Sequence, residues 1–331
     1  MEKTNKIRLK LLGLPVIEDI EDFSALTHLS KYTIYQLSKH SDKYYHCYEI
    51  TKKSGKKRLI CQPSRKLKAL QAWILVNILN KLKVSESCKG FEIGSSIADN
   101  ARPHIEANTV LNMDLKDFFP TVPRNKVFNI FKSIGYNDLT STIFTNLCVY
   151  NESLPQGSPC SPKLANLVSW RLDARIQGYV GRRGITYTRY ADDLTFSGLN
   201  PQIVCKIPSQ IERIVNDEGF QINNAKTHIS GSSRSKTITG LVLSNDSFGI
   251  GKKKYKLLRA KLHRLTKPSE QKNLELLSHV NGYLAFLKSV DMKRFKKVKI
   301  YIKELNEKYP KSLIKNLIFE KQTIGNTVYT K

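Results

Sequence analysis

Gly184-Ile185-Thr186-Tyr187-Thr188-Arg189-Tyr190-Ala191-Asp192-Asp193-Leu194-Thr195-Phe196-Ser197 is the stretch on which the fold turns. β-Branched and aromatic residues flank Ala191-Asp192-Asp193, so the segment reads as two short strands joined by a tight turn. Neighbouring carboxylates at a hairpin tip repel one another, and keeping both ionised is costly unless a cation lies beside them. Mg²⁺ suits that place, because it takes one or two protein carboxylates and completes its octahedron with water and substrate phosphates. An Asp-Asp pair alone is ordinary turn chemistry. With a strand on each side it becomes a candidate metal site.

Upstream, Thr109 to Leu115 alternates as a strand does, with Leu111, Met113 and Leu115 on one face and Val110, Asn112 and Asp114 on the other. Asp114, near its end, is the third acid. Two-metal phosphoryl transfer needs carboxylates that bridge ions about 3.5–4 Å apart, one activating the attacking hydroxyl and one the leaving pyrophosphate. A strand-end Asp beside a hairpin-tip pair provides that. Asp117 falls in the turn after the strand and is left out of the set. Between the acid elements runs Leu154-Pro155-Gln156-Gly157-Ser158-Pro159-Cys160-Ser161-Pro162-Lys163-Leu164-Ala165-Asn166, a Pro- and Gly-rich loop. Its position suggests a loop that meets template and nucleotide. Ser161 to Gln177 reads as the helix that follows, opened by Pro162.

Toward the N-terminus, the first 90 residues hold helical pieces and a basic hairpin, Lys52-Lys53-Ser54-Gly55-Lys56-Lys57-Arg58. Toward the C-terminus, three segments share one spacing: Tyr255, Leu258, Leu262, Leu265; Leu277, Val280, Leu284, Leu287; and Phe295, Val298, Ile302, Leu305. Each is i, i+3, i+7, i+10, an apolar stripe along a helix. Lys256, Arg259, Lys261 and Arg264 fall off the first stripe, which makes a small bundle with a basic exterior. The 331 residues carry 55 Lys and Arg against 28 Asp and Glu, a net +27. Residues 251–331 hold 21 of those bases and 6 of the acids, so about a quarter of the chain carries +15 of the charge. A field of that size attracts polyanions, nucleic acid first among them. A solvated lysine-rich face is the plainer reading of any single residue there.

The 40% hydrophobic content suits a folded protein. Leu11 to Ile17 is too short and too interrupted, by Gly13 and Pro15, to span a membrane, and no membrane partner is expected. The six cysteines (Cys47, Cys61, Cys88, Cys148, Cys160, Cys205) form no CxxC pair, so zinc is not expected and the plain reading is reduced thiols in a cytoplasm.

The order of Asp114 with Phe118-Phe119, the Pro155-Gln156-Gly157 loop and the Tyr190-Ala191-Asp192-Asp193 hairpin resembles the reverse transcriptases. Details are closer to the bacterial retron enzymes than to viral or group II intron ones. Asn100-Ala101-Arg102-Pro103-His104 fits the retron Asn-Ala-x-x-His element, and Ile238-Thr239-Gly240 fits its Val-Thr-Gly triplet with Ile for Val. Gln62-Pro63-Ser64-Arg65, Tyr187-Thr188-Arg189-Tyr190 and Gly249-Ile250-Gly251 look like this family too, and the likeness covers roughly residues 8 to 310.

The resemblance implies an α+β right-hand polymerase fold. Fingers would lie in residues 1–90, a palm in 91–248 with fingers partly interleaved, and a basic helical thumb in 249–331. It implies that Asp114, Asp192 and Asp193 are the catalytic acids and bind two Mg²⁺ ions. Phe119 would be the ring that excludes a 2′-hydroxyl. Gln156 and Gly157 would lie against the incoming deoxynucleoside triphosphate, and Arg58 would hold its phosphates, with Lys56 and Lys57 as weaker candidates. Lys226 matches the lysine that protonates pyrophosphate. Asn100, His104, Thr239 and Gly240, with Lys256, Arg259, Lys261 and Arg264, would meet RNA, His104 by positioning rather than proton transfer. His228 and His263 receive no role. The implied activity is RNA-directed DNA synthesis on a cognate structured non-coding RNA, primed from an internal 2′-hydroxyl, giving multicopy single-stranded DNA. Further partners implied are a separate effector protein in anti-phage defence and host RNase H. A different bacterial reverse transcriptase class and an inactive RNA-binding scaffold are the rival readings.

Overall fold

The computed structural model describes residues 3–51, 55, 57–231, 234–270 and 273–317. Lys52, Lys53, Ser54 and Lys56 of the basic hairpin lie outside the described residues. The chain forms two compact units, residues 1–96 with 108–229 and residues 97–107 with 230–331.

The first unit opens with short helices, Lys6–Leu11, Ile20–Thr27 and Lys31–Lys39. A hairpin follows, β1 (Tyr45–Thr51) antiparallel to β2 (Lys57–Pro63). In that register Cys47 faces Cys61, and the two are joined as a disulfide, which corrects the expectation that every cysteine is a free thiol. Among the described cysteines Cys88, Cys148, Cys160 and Cys205 remain free.

The central sheet contains β3 (Thr109–Asp114), β4 (Thr186–Tyr190), β5 (Asp193–Gly198) and β6 (His228–Ser230), in the order β4-β5-β3-β6. β4 and β5 form the expected hairpin, and β5 runs antiparallel to β3 from Thr109 opposite Gly198 to Asp114 opposite Asp193. As an interior strand, β3 is buried on both faces, with Asn112 alone half-exposed, so its alternation marks the strand better than it marks a solvent side. Helices Arg124–Ile134, Asp138–Cys148 and Pro208–Asp217 share one core with the sheet. Phe144 sits amid Phe23, Phe131 and Tyr136 with ring centroids 5.1 to 5.3 Å away. Each such ring removed from water contributes about 1.5–3 kcal/mol. The helix expected over Ser161–Gln177 is two helices, Ser161–Val168 and Trp170–Gly181, broken at Ser169.

The second unit carries the helix Ile97–Ala101, the tight turn Arg102–His104 and a small sheet of β7 (Thr237–Ile238), β8 (Leu241–Leu243) and β9 (Phe248–Gly249). Three helices complete it, Gly251–Arg264, Leu274–Val290 and Met292–Lys308. Their stripes are buried as the spacing requires, except that Tyr255 and Leu277 are half-buried at the edge. Asn273 and Asp291 cap the last two, accepting from the amides of Leu276 and Arg294 at 2.9 and 3.0 Å. Among the described residues no helix is long and apolar enough to cross a membrane.

Candidate active site

The β3–β5 register brings Asp114 and Asp193 directly opposite one another. The hairpin between Tyr190 and Asp193 has a two-residue turn whose first central residue, Ala191, has φ +58°. A left-handed residue there matches the turn to the strand twist, and an Ala in that conformation is strained. The Asp192 carbonyl accepts from the Leu115 amide at 2.9 Å, tying the tip to the end of β3. Asn223 holds Asp114 from the other side, its amide donating to the Asp114 carbonyl at 2.7 Å and its Nδ2 to Oδ2 at 3.2 Å. Lys226 Nζ donates to Asp114 Oδ1 at 2.6 Å. Asn112, Asp114, Asp193, Lys226 and His228 line one cavity of about 350 Å³. His228, given no role by the sequence, lies there with Nε2 3.3 Å from Asn112 Nδ2. Asp117 lies in the turn after β3 with φ +48° and is exposed.

Burial, then Asp192 and Asp114 in turn, raise the Asp193 carboxyl to about 6. Burial and then Asp114 raise Asp192 as well. Lys226 is raised chiefly by its hydrogen bond to Asp114. Gathered acids that resist ionisation are sites where a divalent cation relieves both desolvation and repulsion. Among the described residues no three His, Cys, Asp or Glu form a ready-made metal cage. Hard carboxylate oxygens few in number still fit Mg²⁺, which keeps several waters and substrate oxygens among its ligands.

The Gln156 loop is fixed by backbone contact with the hairpin. Cys61 N donates to Gln156 O at 2.7 Å, and a β-carbon on Gly157 (φ +131°) would lie 2.6 Å from Cys61 O. Only glycine allows that approach and that φ together. Beneath the loop, buried Gln71 accepts from Ser158 Oγ at 3.0 Å and donates to Tyr45 Oη and Leu147 O, both at 2.7 Å. Arg58, Asp117 and Gln156 line a second cavity of about 230 Å³. Arg58 also lies within electrostatic reach of Asp192, lowering its carboxyl. Phe119 is half-buried between Phe118 and Phe91, with ring centroids 5.6 and 6.1 Å away. Phe91, Gln71, Asn223 and Gly90 carried no signal in the sequence, because each acts through a partner far along the chain.

In the second unit the residues expected to meet RNA divide. Asn100 and His104 are 0% exposed, so neither side chain lies at the surface of this structure. Burial lowers the His104 pKa to about 4, which leaves the ring neutral at physiological pH. Neither Asn100 Nδ2 nor Oδ1 has a hydrogen-bond partner among the described residues. Thr239 (φ +43°) and Gly240 (φ +82°) are the two central residues of the β7–β8 hairpin, the turn type that needs φ positive at both. Lys254 Nζ donates to Gly240 O at 2.7 Å. Of the four bases on Gly251–Arg264, Arg259 lies 4.2 Å over the Tyr301 ring, Lys261 Nζ is 2.7 Å from His279 Nε2, and Arg264 pairs with Glu270.

An α+β fold of fingers, palm and helical thumb, with an acid pair on a hairpin opposite a strand-borne acid, defines the class of template-directed nucleic-acid polymerases. The family of Reverse transcriptase (RNA-dependent DNA polymerase) matches residues 50–262. The retron Ec86 reverse transcriptase of Escherichia coli is 48% identical over 315 residues, covering 94% of this chain and 97% of that one. The retron Mx65 reverse transcriptase of Myxococcus xanthus is 33% identical, over 87% of this chain and 72% of its own. A solved telomerase of Candida albicans, in complex with a fragment of telomeric RNA, has 11% identity and a TM-score of 0.45 over 83% of this chain and 61% of that one. The chain belongs to the bacterial retron reverse transcriptases and is an RNA-directed DNA polymerase. Reverse transcriptases use divalent metal ions.

Proposed function

We propose that this enzyme copies part of a cognate structured non-coding RNA into multicopy single-stranded DNA, starting from an internal 2′-hydroxyl of that RNA. The observation that carries the catalytic part is the placement of Asp114 opposite Asp193, with Asp192 next to Asp193 in the hairpin turn and Lys226 alongside Asp114. In this reading Asp114, Asp192 and Asp193 hold two Mg²⁺ ions, which supply the charge that activates the attacking hydroxyl and steadies the leaving pyrophosphate. Lys226, kept protonated by Asp114, is the proton source for that leaving group. Arg58 takes the triphosphate of the incoming deoxynucleotide, Gln156 and Gly157 flank it, and Phe119 closes off the sugar 2′ position. Lys256, Arg259, Lys261 and Arg264 meet RNA phosphates, while Thr239 and Gly240 present the β7–β8 turn.

The dedicated RNA, its attached DNA, a separate effector protein and host RNase H complete the system, whose role is anti-phage defence in the cytoplasm. The retron relatives support the RNA partner in this reading. The test is synthesis on the structured RNA encoded beside the gene, with no added primer. The expected product is DNA joined to RNA through a 2′,5′ linkage, which debranching enzyme resolves into a faster-migrating DNA with a free 5′ end. Synthesis only from an added 3′-hydroxyl, or a product that debranching leaves unchanged, overturns the RNA-primed reading and leaves the polymerase.

A further inference from the structure

Directly behind the acid hairpin lies a buried polar network. Arg189 and Asp173 both have side chains 0% exposed. The guanidinium grips the carboxylate with two parallel bonds, Nε to Oδ1 at 2.8 Å and Nη2 to Oδ2 at 2.7 Å. Tyr187 Oη also donates to Asp173 Oδ1 at 2.8 Å. The remaining nitrogen, Nη1, donates to Asn166 Oδ1 at 3.0 Å and to the Ala191 carbonyl at 3.2 Å. Asn166 Nδ2 in turn donates to Gly90 O at 2.8 Å and to Glu92 Oε1 at 3.0 Å. Gly90 lies against the turn, where a β-carbon would meet Ala191 N at 2.5 Å.

A buried ion pair is weak evidence of stability, because the desolvation of both charges offsets their attraction. What the pair supplies here is geometry. Ala191 holds the left-handed conformation that aims the next two residues, Asp192 and Asp193. A non-glycine residue in that conformation is disfavoured about five- to thirtyfold against ordinary backbone, so something has to hold it. The Ala191 carbonyl is held by the one guanidinium nitrogen not engaged with Asp173.

We propose that Arg189, fixed by Asp173 and Asn166, is a positioning residue that locks the strained Ala191 turn and thereby sets the orientation of the Asp192–Asp193 pair. This rests on the reading of those two acids as the catalytic metal ligands. A lysine at 189 keeps the charge but has a single nitrogen, which cannot hold Asp173 in two places and also reach Ala191 and Asn166.

The experiment compares wild type, Arg189→Lys, Arg189→Lys with Ala191→Gly, Arg189→Met with Asp173→Leu, and Asp193→Asn. Each is measured for single-turnover extension rate, KM for deoxynucleotide, Mn²⁺ affinity by electron paramagnetic resonance, and thermal midpoint. In Arg189→Lys the rate is expected to fall about a hundredfold and Mn²⁺ affinity about tenfold, with KM within threefold of wild type. Glycine at 191 removes the backbone penalty and is expected to restore about fivefold of the lost rate. The apolar Met and Leu pair, whose core no longer holds an unpaired charge, is expected to show the same rate loss at a near-native midpoint. Loss of rate only in step with loss of folded protein, no rescue by Ala191→Gly, or unchanged rate and Mn²⁺ affinity in Arg189→Lys each overturns the proposal. If Asp193→Asn extends within tenfold of wild type, the metal reading itself has failed. An inactive Asp193→Asn beside a fully active Arg189→Lys refutes the positioning role alone.

Discussion

Gly90 and Ala191 approach so closely that a β-carbon on Gly90 would lie 2.5 Å from the Ala191 nitrogen and 3.1 Å from the Tyr190 carbonyl carbon. The segment carrying Gly90 runs alongside β4, with Arg189 N donating to Ser87 O at 2.8 Å and Lys89 N to Arg189 O at 2.7 Å. The acid hairpin is therefore held by backbone bonds on its outer edge and by steric contact at its tip.

Gly90→Ala tests that contact. The intruding methyl meets backbone rather than a flexible side chain, so the turn has to move. A shift of a few tenths of an ångström at Asp192 and Asp193 is expected to lower the extension rate ten- to a hundredfold, because bridging ligands tolerate little displacement. The overpacking should cost about 1–3 kcal/mol of stability, visible as a modest drop in thermal midpoint. A wild-type rate in a folded variant shows that the tip has slack.

How far such features were legible depends on what local sequence encodes. The acid hairpin was, because β-branched and aromatic residues on both sides of Asp192-Asp193 fix its strands, and the three C-terminal helices were, because their stripes repeat. Contacts made across the chain were not. Gln71 reaches Ser158 and Asn223 reaches Asp114 from separations of 87 and 109 residues, and no local pattern announces either partner. The disulfide has no local signature, because Cys47 and Cys61 face each other only through the hairpin register. Asn100 and His104 were legible as a motif but not as buried side chains, since a residue type at a spacing says nothing of what covers it. Thr239-Gly240 is intelligible afterwards as turn chemistry: two residues with φ positive between short strands.

Phe119→Ala tests the sugar gate. Phe119 is half-buried against Phe91 and Phe118, so one face of its ring is already committed to packing. Removing the ring is expected to raise ribonucleotide incorporation relative to deoxynucleotide by about tenfold or more, in the range of one to three kcal/mol of lost discrimination. The measurement is the ratio of the two incorporations on a single primed RNA. An unchanged ratio in an active variant makes Phe119 a packing residue.

His104 makes the stability of the protein pH-dependent. Burial lowers its pKa to about 4, whereas in the unfolded chain it titrates near about 6.5. The unfolded state therefore binds a proton first as pH falls, and stability present above about pH 6.5 is lost progressively toward pH 4. At pH 4.5 the loss owed to this group is on the order of 2–3 kcal/mol. Urea unfolding of wild type and His104→Asn at pH 7.5 and 4.5 isolates it, because other acid-labile groups are common to both. The wild type should lose on the order of 2–3 kcal/mol more than the variant over that interval. Equal losses mean that the ring is solvated in solution.

The basic face of Gly251–Arg264 has internal partners that its sequence did not reveal, and these decide what its salt dependence should be. Arg259 stacks on Tyr301, Lys261 meets His279, and Arg264 pairs with Glu270. One member of each contact is exposed and the other half-buried, and such open contacts are worth about 0–1 kcal/mol each, so phosphate can compete for all of these side chains. Replacing Lys256, Arg259, Lys261 and Arg264 together by glutamine keeps the stems and removes the charges. Each lost phosphate contact flattens the slope of log affinity against log salt by about 0.7–0.9, so a face that binds with all four bases should lose about 3 in slope. A loss near 1 would mean that one base, Lys256 by its position, does the binding while the others keep their internal partners. The measurement is RNA affinity at four or five salt concentrations, with thermal midpoint as the control for the lost Tyr301 contact. An identical slope in a folded variant places this face in solvent, and RNA must then be held by other parts of the chain's positive charge.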